Sequence, residues 1–110
     1  MNDRELLELA ARAAGVGYTW SEFWETMARP LNDGSGWDNR ATWNPLKDDG
    51  DALRLAVKLN LTVSVCGEFT KVSYGWGEGI IEYANESKDA ATCRAIVRAA
   101  AIMGEMLCRL

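Results

Sequence analysis

The sequence predicts an α+β fold in which three α-helices pack against an antiparallel β-sheet. Three short segments after residue 60 alternate apolar and polar residues, a period of two that is typical of strands with one exposed face. Capping residues mark two helices, and an apolar run near the end of the chain marks a third. Because a sheet with one apolar face needs helices to cover it, the 110 residues are expected to form a single domain, 1–110, with the order α-(β)-(β)-α-β-β-β-α.

The first helix is predicted over Asp3–Ala14. Asn2 is a good N-cap, and Glu5 three residues later completes a pattern like a capping box. Gly15 is expected to end the helix in the left-handed conformation. Four apolar residues at helical spacing form the predicted buried stripe: Leu6, Leu9, Ala10 and Ala13.

Two structures fit the stretch between the first two helices. A strand over 16–20 and a returning strand over Met27–Leu31 fit the alternation, and Pro30 would confine the second to a sheet edge. Strands formed here would extend the sheet of the later segments. A short helix over Ser21–Met27 fits almost as well, because Ser21 stands at N-cap spacing.

The second helix is predicted to start at a cap formed by Asp48 or Asp49 and to end near Leu59, with Asn60 as a left-handed stop. Its predicted core stripe has three members: Leu53, Ala56 and Val57. Its predicted water-facing side also has three: Asp51, Arg54 and Lys58. The acidic cluster at its start lacks the ligand spacing of a calcium loop, so we interpret it as capping chemistry, with weak divalent-cation binding as the alternative.

The second half of the chain predicts a three-stranded meander followed by a long helix. The strands are expected over Leu61–Cys66, Lys71–Trp76 and Ile80–Ala84, and the helix from about Ser87 to the C-terminus. Four charged residues form the narrow polar stripe of that helix: Arg94, Arg98, Glu105 and Arg109. A helix this apolar is either the central packing element or partly covered by a second chain, and we expect a homodimer through it.

Composition argues for binding rather than catalysis. The chain has no histidine, which removes the commonest general base and the commonest metal ligand. We therefore predict no catalytic residue, metal or cofactor. The net charge is −4 and the 12 basic residues are scattered, which argues against binding nucleic acid through its phosphates. The three cysteines form no Cys-x-x-Cys pair and are expected to be small buried side chains.

The sequence also indicates an intracellular protein that does not insert in a membrane. The longest uncharged apolar run, Ala99–Gly104, is far too short to span a bilayer. The N-terminus does not have the basic-then-apolar order of a signal peptide.

Tryptophan is the most unusual feature of the composition. The chain has five, and four of them lie between residues 20 and 43. In a loop-rich segment they can stack on a base or form a protein-binding surface, and nearby arginines can meet a phosphate or a carboxylate. The alternative is that they cover a small core. The predicted ligand- or partner-binding residues are Tyr18, Trp20, Trp24, Arg29, Trp37, Arg40 and Trp43.

Residues 43–59 read Trp-Asn-Pro-Leu-Lys-Asp-Asp-Gly-Asp-Ala-Leu-Arg-Leu-Ala-Val-Lys-Leu. They resemble the turn-and-helix signature of small phage-encoded proteins of the NinX-like, phage ABA sandwich kind. Residues 89–96 are similar to the last helix of those proteins, so the resemblance covers the second half of the chain and leaves out 18–40. It implies helices layered on an antiparallel sheet and a phage origin. Most members have no assigned activity.

Three functions follow, in this order. The first is a non-enzymatic phage accessory protein, acting in the cytoplasm of the bacterial host, that inhibits an anti-phage defence by binding a host defence protein or a nucleotide second messenger. The second is a homo-oligomeric structural or regulatory protein without a small ligand. The third is a carboxylate- or metal-dependent enzyme, which only the acidic cluster motivates.

Overall fold

The computed structural model describes residues 2–30, 36–74, 79–84 and 87–108, without the side chains of residues 37–41 and 108. Within these ranges the α+β class is confirmed. The elements follow the order α1 Asp3–Ala14, β1 Thr19–Ser21, β2 Thr26–Pro30, β3 Trp37–Trp43, α2 Asp49–Lys58, β4 Thr62–Val65, β5 Phe69–Ser73, β6 Gly79–Tyr83 and α3 Lys88–Cys108.

The strands form two separate antiparallel sheets. The predicted meander is confirmed as the sheet β4-β5-β6. The sequence suggested that the N-terminal strands would extend this sheet. Instead, they pair with β3 in a second sheet of order β1-β2-β3. The reason is local: β3 follows β2 in the chain and takes its free side, with Met27 opposite Trp43. Residues 37–43, for which the sequence predicts no strand, supply that strand.

The alternative of a helix over Ser21–Met27 is wrong. Ser21 Oγ does accept a hydrogen bond from the Trp24 N–H at 3.2 Å, as an N-cap would. Glu25 then adopts a left-handed φ of 49°, which turns the chain back into β2 instead of continuing a helix. The cap-like spacing therefore closes a turn between two strands.

Pro30 does not make β2 an edge strand, because β2 lies between β1 and β3. β1 pairs only as far as Ala28, so at Pro30 the strand has a neighbour on one side only, where Trp37 is its partner. Proline has no backbone N–H, and it is tolerated where a strand has a neighbour on one side only.

The caps of the first two helices are confirmed. Asn2 Oδ1 accepts from the Glu5 N–H at 2.8 Å, and Gly15 ends α1 with a φ of 67°. Asp48, not Asp49, is the N-cap of α2, accepting from the Asp51 N–H at 2.9 Å. Asn60 has the predicted left-handed φ, at 56°.

The predicted core face of α2 is correct for Ala56 and wrong for Leu53 and Val57. Leu53 and Val57 are 63% and 68% exposed, and the buried residues are Ala52, Leu55 and Ala56. α2 packs on α3, and two of its three buried side chains are alanines, which allow a close helix contact. The two apolar side chains left in solvent lie four residues apart on one face of α2.

α3 is the central packing element, one of the two alternatives that its apolar sequence left open. It contacts α1, α2 and the sheet β4-β5-β6, and Ala95, Val97 and Ala99 have no exposed surface. A Cβ atom at Gly104 would overlap the carbonyl oxygen of Leu9, so glycine allows α1 and α3 to touch through their backbones. Among the described residues, no helix is both long enough and apolar enough to cross a bilayer.

The cysteine prediction holds in part. Cys93 is buried on α3, as expected. Cys66 is exposed, because it lies just after β4 where the chain turns into β5. The side chain of Cys108 is outside the described part.

Candidate functional site

Two of the predicted binding residues form a stacked aromatic pair. The ring centroids of Tyr18 and Trp43 are 5.9 Å apart, and the rings are within 9° of parallel, the geometry of an offset stack. Gly15 ends α1 and lets the chain turn toward β1, which places Tyr18 near the end of β3. Trp43 is buried and Tyr18 is half-buried.

Arg29 joins this pair from β2. Its Cζ lies 5.2 Å from the Tyr18 ring centroid, and its Nη2 donates to the Tyr18 hydroxyl at 3.3 Å. The register of β2 against β3 shifts between Ala28 and Arg29, whose partners are Thr42 and Asp38. Such irregularities re-aim side chains, and here the shift falls at Arg29, which contacts Tyr18.

α2 supplies the opposite wall with three charged residues on one face. Asp51 accepts from the Asn44 N–H at 3.0 Å through Oδ2 and from Arg54 Nη2 at 2.7 Å through Oδ1. The hydrogen bond that Arg54 donates to Asp51, opposed by partial desolvation, raises the pKa of Arg54 above its usual range. Lys58 follows one turn later and lines the same wall.

Together these elements enclose an open cleft of about 520 Å³, within the size range of small-molecule sites. Its walls are the end of α1 with residues 16–18, the strands β2 and β3, and α2. Three of its four charged residues are basic: Arg29, Arg54 and Lys58 are set against Asp51. The cleft is therefore locally positive in a protein whose net charge is −4.

The seven predicted residues do not all meet at this cleft. Tyr18, Arg29 and Trp43 do. Trp20 lines a neighbouring cleft of about 450 Å³, where Arg4 Cζ lies 5.5 Å from its ring centroid. Trp24 is half-buried in the turn after β1. The side chains of Trp37 and Arg40 lie outside the described part.

The acidic cluster is tied into the fold. Asp48 caps α2, and Asp51 holds Asn44 and Arg54. Asp49 Oδ1 accepts a hydrogen bond from the Cys93 thiol at 3.3 Å. In the described ranges no group of three His, Cys, Asp or Glu side chains is close enough to hold a metal ion. Each of these carboxylates therefore has a role within the fold: Asp48 caps α2, Asp51 anchors the preceding turn, and Asp49 accepts from a buried thiol.

Sequence reasoning missed the contribution of α2 to the cleft. The sequence predicts that the water-facing side of α2 consists of Asp51, Arg54 and Lys58, and their i, i+3, i+7 spacing does place them on one helix face. The available signal was their position directly after Trp43 in the chain, separated only by a short turn. A turn that short keeps the start of α2 beside the end of β3.

Comparison of the chain with protein families, with characterised proteins and with solved structures finds no match. The function therefore has to be argued from the residues of this chain.

Proposed function

We propose that the protein is a non-enzymatic phage accessory protein that inhibits a host anti-phage defence by sequestering a nucleotide signal in the cleft between β2, β3 and α2. Its place of action in this proposal is the cytoplasm of the bacterial host. The single observation that carries the ligand class is the combination of a stacked aromatic pair with three basic side chains in one cleft.

The planar groups support a ligand with an aromatic ring. Trp43, Tyr18 and the Arg29 guanidinium already form a series of planar contacts, with Tyr18 touching both of the others. A nucleobase stacks on aromatic rings and on guanidinium planes in a way that is largely independent of its identity. Because Trp43 is buried and Tyr18 already contacts both Trp43 and Arg29, a base in the cleft would stack on the exposed guanidinium of Arg29 and extend this series.

The charges support a phosphate on the same ligand. Arg54 and Lys58 on α2 and Arg29 on β2 line the same cleft, so phosphate oxygens bound there would accept charge-assisted hydrogen bonds. Asp51 offers an acceptor for a ribose hydroxyl or an exocyclic amine, and its two existing hydrogen bonds fix its position. Base, sugar and phosphate each have a suitable group.

The cleft favours a nucleotide over a protein as the ligand of this site. A protein hot spot usually presents large side chains to solvent at the centre of an interface. Here Trp43 is buried and Tyr18 lies inside a concave site. The phage context comes from the resemblance of residues 43–59 and supplies the role of such binding, which is to lower the free concentration of a defence signal.

The test is titration calorimetry and tryptophan fluorescence with cyclic mononucleotides, cyclic dinucleotides and ADP-ribose as probes. We expect one of these probes to bind more tightly than the matching nucleoside or inorganic phosphate, because the cleft contacts both the base and the phosphate of a nucleotide. Lys58→Ala should weaken that binding about tenfold, the worth of one hydrogen bond to a charged group. Lys71→Ala, which removes an exposed lysine from β5, is the matched control and should leave binding unchanged.

The biological arm uses cells that carry a nucleotide-signalling defence. Expression of the wild-type protein should restore phage plating, and expression of Lys58→Ala should not. If no probe binds more tightly than phosphate alone, or if Lys58→Ala and Lys71→Ala behave alike, the nucleotide proposal is wrong.

A further inference from the structure

A second concave surface lies on the other side of α2 and differs in character from the cleft. It is a groove of about 360 Å³ whose lining is mostly apolar. α3 forms its floor with Cys93 and Ile96, α2 forms one wall with Leu53 and Ala56, and β4 forms the other with its valines. It shares no lining residue with the positive cleft.

The wall made by β4 is a free strand edge. β4 pairs with β5 on one side and has no strand on its other side in the described structure. Natural edge strands are usually blunted by lysine, proline or charge. β4 reads Thr-Val-Ser-Val and has none of these, whereas the opposite edge strand, β6, carries Glu82 in an ion pair with Arg98. This edge is open to pairing.

Large apolar side chains flank that edge and remain in solvent. Leu53, Val57 and Val65 are each more than half exposed. Leu53 and Val57 project from the same face of α2, and Leu53 and Val65 line the groove together. Large exposed apolar side chains beside an unpaired strand are typical of an interaction site.

One end of the groove is acidic. Asp49 and Asp89 line it at the N-termini of α2 and α3, and Asp48 directly precedes α2. Lys88 is the one basic residue in the lining. In the described ranges neither Asp49 nor Asp89 forms an ion pair. This end therefore complements a positive charge.

We propose that the groove binds an extended segment of a partner protein, which adds to β4 as a fourth strand. Backbone hydrogen bonds to β4 supply affinity, and alternate apolar side chains of the segment cover Leu53 and Val57. A lysine or arginine at one end of the segment meets Asp49 and Asp89. The occupant is a different protein rather than a second copy, because β4 itself has no basic residue to place at the acidic end.

The test selects random displayed peptides on the wild-type protein and counter-selects them on the double variant Leu53→Glu, Val57→Glu. Both sites are exposed, so these changes should alter the fold little. Selected peptides should alternate apolar residues and carry a basic residue at one end. The double variant should bind them at least about tenfold more weakly. Phe23→Glu, an exposed apolar residue outside the groove, is the matched control and should bind normally.

Hydrogen exchange on the wild-type protein tests the strand pairing without any variant. A bound selected peptide should slow exchange of the amides in β4 and leave those in β6 unchanged. Asp89→Asn should weaken binding of the same peptide, and added salt should reduce the difference.

Three results would overturn the proposal. The first is the recovery of no peptide that distinguishes the wild-type protein from the double variant. The second is selected peptides that bind without protecting β4. The third is a wild-type dimer, seen by sedimentation, that the double variant dissociates, because the groove would then hold a second copy. None of these results depends on nucleotide binding.

Discussion

A single buried thiol gives the protein a pH dependence at the residue scale. Cys93 lies on α3, and its thiol donates a hydrogen bond to Asp49 Oδ1 at 3.3 Å. Burial, followed by the hydrogen bond and negative charge of Asp49, raises the pKa of this thiol from 9.0 to about 11. The thiol is therefore protonated and poorly nucleophilic at neutral pH.

We expect the free energy of unfolding to fall as the pH rises from 9.0 to about 11. Above pH 9.0 the unfolded chain loses the thiol proton while the folded chain keeps it, up to about pH 11. The corresponding stability is intact below pH 9.0 and is lost as pH approaches about 11. Urea unfolding at a series of pH values, in the presence of a reductant, should show a shallower decline for Cys93→Ala than for the wild-type protein. Parallel declines would contradict the assigned shift.

Residues whose roles depend on near neighbours in the chain were predictable from the sequence. Asn2, Gly15 and Asn60 act as expected because a cap or a left-handed stop is set by the few residues around it. The sequence did not predict that the Arg29 guanidinium would contact the Tyr18 ring. It depends on the register of β2 against β3, and that register shifts at Arg29.

At the scale of elements, the start of α2 distinguishes two neighbouring aspartates. Asp48 accepts the Asp51 N–H and is the cap, whereas Asp49 is already inside the helix. Asp48→Ala should therefore lower the free energy of unfolding by about 1 kcal/mol. Asp49→Ala is the matched comparison: it leaves the cap intact and removes the acceptor of the Cys93 thiol together with one negative charge in the first turn. Chemical denaturation of both variants measures the difference, and equal losses would show that Asp48 is not the dominant cap.

The elements that the sequence placed correctly have strong periodic patterns, and those it missed do not. The meander and all three helices follow from alternation, caps and apolar runs. β3 was missed because residues 37–43 contain Asp, Asn and Arg in their centre and gain their strand structure by pairing with β2. The buried face of α2 was misplaced because apolar residues occur on more than one side of this helix. The side that packs against α3 is the one with the smaller side chains, two of them alanines.

At the scale of the whole molecule, the structure shows which part of α3 is exposed and could form a dimer interface. The apolar centre of α3 is already buried by α1, α2 and the second sheet, so this surface needs no second subunit. Ile96→Asp would place a charge in that core and unfold the chain in any oligomeric state. The homodimer proposed from the sequence therefore has to use the last turns of α3, where Met106 and Leu107 are about half exposed.

That proposal makes a specific prediction for the double variant Met106→Glu, Leu107→Glu. If the dimer forms through the end of α3, the variant should sediment as a monomer while the wild-type protein sediments as a dimer. Because both side chains are exposed in the single chain, the variant should unfold at nearly the wild-type midpoint under conditions where both are monomeric. Ile81→Glu, which charges an exposed apolar residue on β6, is the matched control and should leave the dimer intact. A wild-type protein that remains monomeric at high micromolar concentration would rule out the dimer, and the burial of α3 would then be entirely intramolecular.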